Sequence, residues 1–272
     1  MSFSDVGAGA SSRRISAMVR RYWYLIIGSW PRIAELAYWP TIQMVLWGFV
    51  SSFFMSQSSN VAVAAGALIG GVLLWDTLFR GQIGLSVCFF EEMYSRNLGH
   101  LFVSPLRPWE LTAALMTMSL IRTVLGAGAA AVLAIFLYSF NLFALGLPLV
   151  AFFTCLMLMS WGMGLVVVSM VLRYGLGAES LAWVAIFAFA PISAVYYPVA
   201  ILPEWLQVIS WMTPSAHVFE GMRQVLTDGS FNWTRFGCAL ALDAVYVAIG
   251  VAVFVKAFAH ARAEGKLLQV GE

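Results

Sequence analysis

The 272-residue chain is 61% hydrophobic and only 10% charged, with a net charge of +2 and a mean hydropathy of +0.86. Ordinary soluble domains carry about 25% charged residues, so this chain has too little charge to clothe a water-facing surface, and its small net charge gives no reason for a nucleic-acid partner. Runs such as FGCALALDAVYVAIGVAVFVKAF lack the alternation of the ~10-residue strands of a membrane barrel, so the composition predicts an all-α integral membrane protein, a single domain over residues 1–272.

The first element in chain order is an amphipathic helix within residues 12–32. At 100° per residue Arg13, Arg14, Arg20 and Arg21 fall on one face, while Ile15, Met18, Val19, Tyr22 and Ile26 cluster opposite. Such a helix lies along a membrane interface with its arginines toward anionic lipid. Six apolar stretches follow, at roughly 34–56, 61–89, 109–138, 146–172, 180–197 and 236–258. They approach or exceed the ~20 residues needed to cross the hydrocarbon core. The cations then sort by side. Arg13, Arg14, Arg20, Arg21, Arg32, Arg96, Arg107, Arg173, Lys256, Arg262 and Lys266 share one side, and Arg223 and Arg235 hold the other. The positive-inside rule places both termini in the cytoplasm. The outer loops near 57–60 and 139–145 are short and uncharged.

Spans 2 and 3 carry intramembrane charges. Asp76 and Arg80 are spaced i, i+4 in the better orientation for a helical ion pair. Counted from Glu91 and Glu110, Arg80 and Arg122 both lie about 17 Å into the membrane at 1.5 Å per residue. One aspartate between two arginines leaves a positive surplus: either a structural cluster joining spans 2 and 3, or a face of the pathway that attracts anionic or polyhydroxylated cargo. Between these spans, residues 90–108 form a polar tract. EEMYSRNLGHLF is expected to form one helix with Glu91 and Glu92 at its positive end and Met93, Leu98, Leu101 and Phe102 free to pack, weakened at Gly99 and broken at Pro105.

After span 5, residues 198–235 are too polar and proline-broken for a full span and too apolar for an exposed loop. Pro203 and Glu204 suit the start of a short helix and Pro214 stops it. The expectation is a re-entrant helical pair anchored by Trp205 and Trp211. Within it His217, Glu220 and Arg223 share helix spacings and form a structural cluster or an outer gate, too sparse for a metal site. Tyr196, Tyr197 and Trp183 are candidate stacking surfaces for sugar rings or lipid tails. Small-residue patches at Gly66–Gly70 and from Gly126 suit close helix contact, within one subunit or between two. The three cysteines, Cys88, Cys155 and Cys238, have no metal-ligand spacing.

Taken together, an interfacial helix, six spans and a broken segment before the last span resemble the membrane subunit of type-2 ABC exporters. Two motifs carry the resemblance. RNLGHLFVSPLRPWEL, with Arg96, Leu98, Leu101, Ser104, Pro105 and Leu106, is similar to that family's segment between spans 2 and 3. PSAHVFEGMRQVL, with Pro214, Glu220 and Arg223, is similar to its segment before the last span. The resemblance implies a permease that exports drugs, toxins, lipid-linked glycans or oligosaccharides, and with no eukaryotic targeting signal visible the expected location is a bacterial inner membrane. The resemblance also implies that residues 90–108 couple to a cytoplasmic ATPase, and that a second permease copy and two ATPase copies complete the transporter. The chain itself would hold no cofactor, ATP and magnesium being bound by the partner, since its only lysines, Lys256 and Lys266, do not follow a phosphate-binding loop. Two rival readings are an ion-coupled secondary transporter using Asp76 and a membrane-embedded transferase acting on lipid-linked substrates.

Overall fold

A computed structural model describes residues 8–57 and 62–264, and every ordered element in that range is helical. The helices are α1 (Ala8–Ile27), α2 (Trp30–Gln57), α3 (Ala62–Tyr94), α4 (Leu98–Val103), α5 (Pro108–Tyr138), α6 (Leu147–Tyr174), α7 (Leu181–Phe189), α8 (Glu204–Trp211), α9 (Pro214–Asp228) and α10 (Trp233–Ala263). Lys266 and the outer loop predicted at 57–60 fall wholly or largely outside the described residues, as does the side chain of Phe102.

Three of the six predicted spans are helices long and apolar enough to cross a membrane among the described residues: α5, α6 and α10, with mean hydropathies of 2.1, 2.2 and 2.3. The other three are not among them. α2 is 28 residues long and carries Arg32, Glu35, Gln43 and an internal proline, Pro40. α3 is 33 residues long and holds Asp76, Arg80 and Gln82 in its middle. The span expected at 180–197 is not one helix. α7 ends after nine residues and continues only as a 3-10 turn, Ala190–Ile192. Pro191 lacks the amide hydrogen that would continue the helix, and Ala194 lies in the left-handed region at φ 60°.

α6 is the hub. Its apolar window is 78% buried, against 22% for α10 and 33% for α5, and it packs on α3, α9 and α10. The α6–α10 contact is backbone to backbone: a Cβ on Gly250 would lie 2.6 Å from the Gly162 carbonyl oxygen, and one on Gly162 would lie 2.8 Å from the Tyr246 carbonyl. Of the patches singled out in the sequence, Gly70 and Gly126 meet side chains of this subunit, Gly128 has open space beside it, and Gly66 lies outside the described side chains. A Cβ on Gly70 would meet Met222 and Phe140, and one on Gly126 would meet Arg80.

The core divides along the bundle. One cluster, at the end holding α4, gathers Tyr22, Phe89, Leu98, Leu111, Leu115, Val168 and Phe254. A second, at the end holding α9, gathers Leu74, Leu78, Phe152, Leu156, Phe219 and Met222. The outside is equally apolar: Trp30, Phe49, Phe53, Phe136 and Leu147 are all more than half exposed. Soluble monomers rarely expose so large an apolar surface, whereas lipid requires one.

The face of α1 opposite its arginines packs against the bundle. Met18, Tyr22 and Ile26 are buried, and Ile15 and Val19 lean on the same cluster. The arginine face divides, with Arg13 and Arg20 exposed and Arg14 and Arg21 turned inward.

Candidate functional site

Between α2, α3, α5 and α7 lies a cavity of about 220 Å³. Its charged lining begins with the pair expected from sequence: Arg80 Nε donates to Asp76 Oδ2 at 2.6 Å, and each side chain is only 10% exposed. Helical spacing makes this pair, because residues four apart project from one face. Gly126 of α5 leaves the room in which the Arg80 guanidinium lies; a Cβ there would sit 2.8 Å from Nε. Arg80 Nη2 is buried and has no hydrogen-bond partner among the described residues. Arg122, 9% exposed, joins the same lining and directs Nη1 to the Cys88 thiol at 3.4 Å, a weak acceptor. A charge at mid-membrane costs at least ~2.5–3.5 kcal/mol on insertion scales. Asp76 offsets one such charge and leaves the second without a carboxylate.

Aromatic rings form much of the remaining wall. Phe79 meets Trp183 at 5.7 Å and Phe187 at 6.1 Å, and Trp47 stacks on Tyr196 at 4.9 Å and 18°. Trp183 and Tyr196, singled out from sequence, both face the cavity. Tyr197 does not line it: its hydroxyl donates to the Pro191 carbonyl at 2.7 Å. The sequence reading missed Glu35, Trp39, Gln43, Trp75 and Phe79, which also line it. An acid and an amide eight residues apart in α2 were the available signal.

At the α4 end the structure corrects the single helix expected over residues 91–102. α3 runs on to Tyr94, and the chain breaks at Arg96, which sits in the left-handed region at φ 55°, before α4 begins at Leu98. Glu91 and Glu92 therefore close α3 rather than open α4. Glu92, 1% exposed, takes both Arg21 nitrogens at 2.7 and 3.1 Å and Asn97 Nδ2 at 2.8 Å. Glu91 pairs with Arg32 at 3.2 Å. Glu110, whose side chain is fully buried, receives Arg14 Nε at 2.8 Å and Nη2 at 2.6 Å. It also accepts the Arg107 amide at 2.9 Å, capping α5 behind Pro108. These three ion pairs tie residues 14–32 to the ends of α3 and α5.

Leu98 and Leu101 are not free to pack elsewhere, being buried in this end's own core, with Met93 and Leu106 against it. The outward face of the α4 region holds Arg96, His100, Val103, Ser104 and Pro105 instead, and Val103 is 88% exposed. Ser104 Oγ turns back to the Leu101 carbonyl. Tyr94 donates to Glu179, joining α3 to the segment before α7.

At the opposite end, Pro203 precedes α8 and Glu204 opens it, while Pro214 occupies the first turn of α9 behind the cap Thr213. Glu220 and Arg223 clamp the loop after α7. Glu220 Oε1 accepts the Val199 amide at 2.7 Å, and Arg223 Nη2 donates to the carbonyls of Ala194 at 2.5 Å and Tyr197 at 3.1 Å. His217 contacts the Trp211 carbonyl at 3.0 Å, and burial pushes its imidazole below the usual range, toward the neutral form. Glu220→Gln should weaken the amide bond and the Arg223 contact together. A loss of about 1.5 kcal/mol is expected, the low end for hydrogen bonds to charged groups. Faster amide exchange over 194–199 is the measurement that checks it.

A helical bundle with an apolar outer surface around a charged, aromatic-walled cavity has the character of a membrane-embedded protein. The chain matches the ABC-2 type transporter family over residues 13–227 and belongs to that family, as a permease-type subunit of an ABC transporter. The match runs from α1 into α9. Permease subunits of this family are not themselves enzymes, and no cluster able to hold a metal ion occurs among the described residues. No curated protein matches the chain.

Proposed function

We propose that this chain forms the translocation pathway of an ATP-driven exporter in a bacterial inner membrane. The cavity bounded by α2, α3, α5 and α7 is part of its route. The observation that carries this reading is that cavity: buried charge and stacked rings inside a lipid-facing bundle that belongs to a transporter family. In this reading α2, α3, α5, α6, α10 and the broken α7 segment provide the six crossings, and α8 and α9 form a re-entrant pair. The α4 end faces the cytoplasm, supported by Arg13, Arg20, Arg96 and Arg107, all exposed there. The intended cargo is amphipathic: a drug or toxin, a lipid-linked glycan or an oligosaccharide. A second permease copy completes the pathway.

The outward face of α4 is the docking element for a separate ATPase, whose closure favours one arrangement of the helices. Val103 offers an exposed apolar contact and Arg96 a charge beside it. Arg96→Glu and Val103→Asp should each lower recovery of an ATP-hydrolysing subunit with the tagged permease about tenfold or more, while the permease still inserts. Full recovery and full transport in both variants would remove α4 as the docking element. Uphill transport by the isolated chain in sealed liposomes would remove ATP drive altogether.

A further inference from the structure

Two acids, Glu35 and Asp76, and two arginines, Arg80 and Arg122, line the cavity, but of these only Asp76 and Arg80 form an ion pair among the described residues. A purely structural ion cluster satisfies its own donors, since a guanidinium carries five of them. Here Arg80 Nη2 is buried with no partner among the described residues, and Arg122 has a thiol where a carboxylate would serve. Arg80 is held by Asp76 on one side and lies over Gly126 on the other. Size narrows the occupant. Pockets for whole drug-sized ligands run to about 300–1,000 Å³, and at about 220 Å³ this one holds a head group and a single ring.

We propose that the cavity is a recognition subsite for an acidic head group, phosphate or carboxylate, carried on an amphiphile. Arg80 and Arg122 supply charge-assisted hydrogen bonds, and Trp183 and Tyr196 offer ring faces to whatever adjoins the acid. This deepens the permease reading and rests on it for the claim that the ligand is cargo; the binding itself does not.

The test is titration calorimetry on the full chain in nanodiscs, with empty discs as reference and two probes of equal tail length, octyl phosphate and octyl glucoside. Octyl phosphate should bind at least about tenfold more tightly, the scale of one charge-assisted hydrogen bond. Arg122→Gln should abolish that preference and Arg122→Lys restore part of it. Arg122 is the informative position, because Arg80→Gln would strand Asp76 and endanger folding. Competition by inorganic phosphate would assign the recognised part to a soluble head. Competition only by phosphatidic acid doped into the disc would assign it to a lipid; either result supports the subsite. Equal binding of the two octyl probes, or an unchanged preference in Arg122→Gln, overturns it. ATP-dependent transport by the assembled complex is read separately. Transport without anion preference removes the subsite alone, and anion preference without transport removes the permease reading alone.

Discussion

Gly250→Val is expected to destabilise the bundle by about 3 kcal/mol, at the upper end for over-packing a tight core. The nearest atoms to an added Cβ are backbone, the Gly162 carbonyl oxygen at 2.6 Å and its Cα at 3.1 Å, and backbone cannot rotate aside as a side chain tip can. α10 would have to move off α6, the most buried of the three apolar helices. Gly237 lies on the same helix with nothing within 4 Å of its Cβ position. Gly237→Ala should therefore be neutral, or more stable by about 0.5–1 kcal/mol through helix propensity. Thermal unfolding of both variants in one detergent checks the pair. Equal melting of Gly250→Val and the unaltered protein would mean that α6 and α10 do not meet at their glycines.

Arg14→Ala should cost about 3 kcal/mol, the low end for breaking a buried ion pair from one side. The acid left behind, Glu110, is 0% exposed and loses two hydrogen bonds, keeping the Arg107 amide and a contact with the Ser11 hydroxyl. Removing both partners, Arg14→Met with Glu110→Leu, should recover much of that loss, since no charge is then stranded. The same logic predicts a milder effect for Glu92→Gln, because Arg21 is 36% exposed and water can serve it. Chemical unfolding of the single and double variants, read as a coupling energy, is the measurement. Additive effects of the two single substitutions would show that the pair does not act as one unit.

The contrast between Asp76–Arg80 and Arg14–Glu110 shows what a reader of the residues alone can reach. The first pair is written into a single helix by its spacing of four, and it forms in the structure as expected. The second joins residues 96 apart, and no local rule connects them, because it depends on where α1 comes to rest. The membrane class was legible from composition, and the long helices from the apolar runs, with α5 and α6 opening at Pro108 and Leu147 within a residue or two of expectation. Arg96 hid the end of α3. A non-glycine residue in the left-handed region leaves no signature in a tract that otherwise favours helix, so Glu91 and Glu92 were assigned to the wrong element. Leu98 and Leu101 were read as open to a partner, and their burial follows from α4 folding back beneath α5 and α1. The arginines of the cavity stood out in an apolar background. Glu35, Trp39 and Phe79 did not, since which flank of a helix turns inward is settled only by its neighbours.

Glu92 gathers three elements at one carboxylate: it belongs to α3, grips Arg21 of α1, and holds Asn97 at the threshold of α4. In the proposed docking role, a displacement of α4 would be passed through this carboxylate to α1, and a spectroscopic label on either helix is expected to report it.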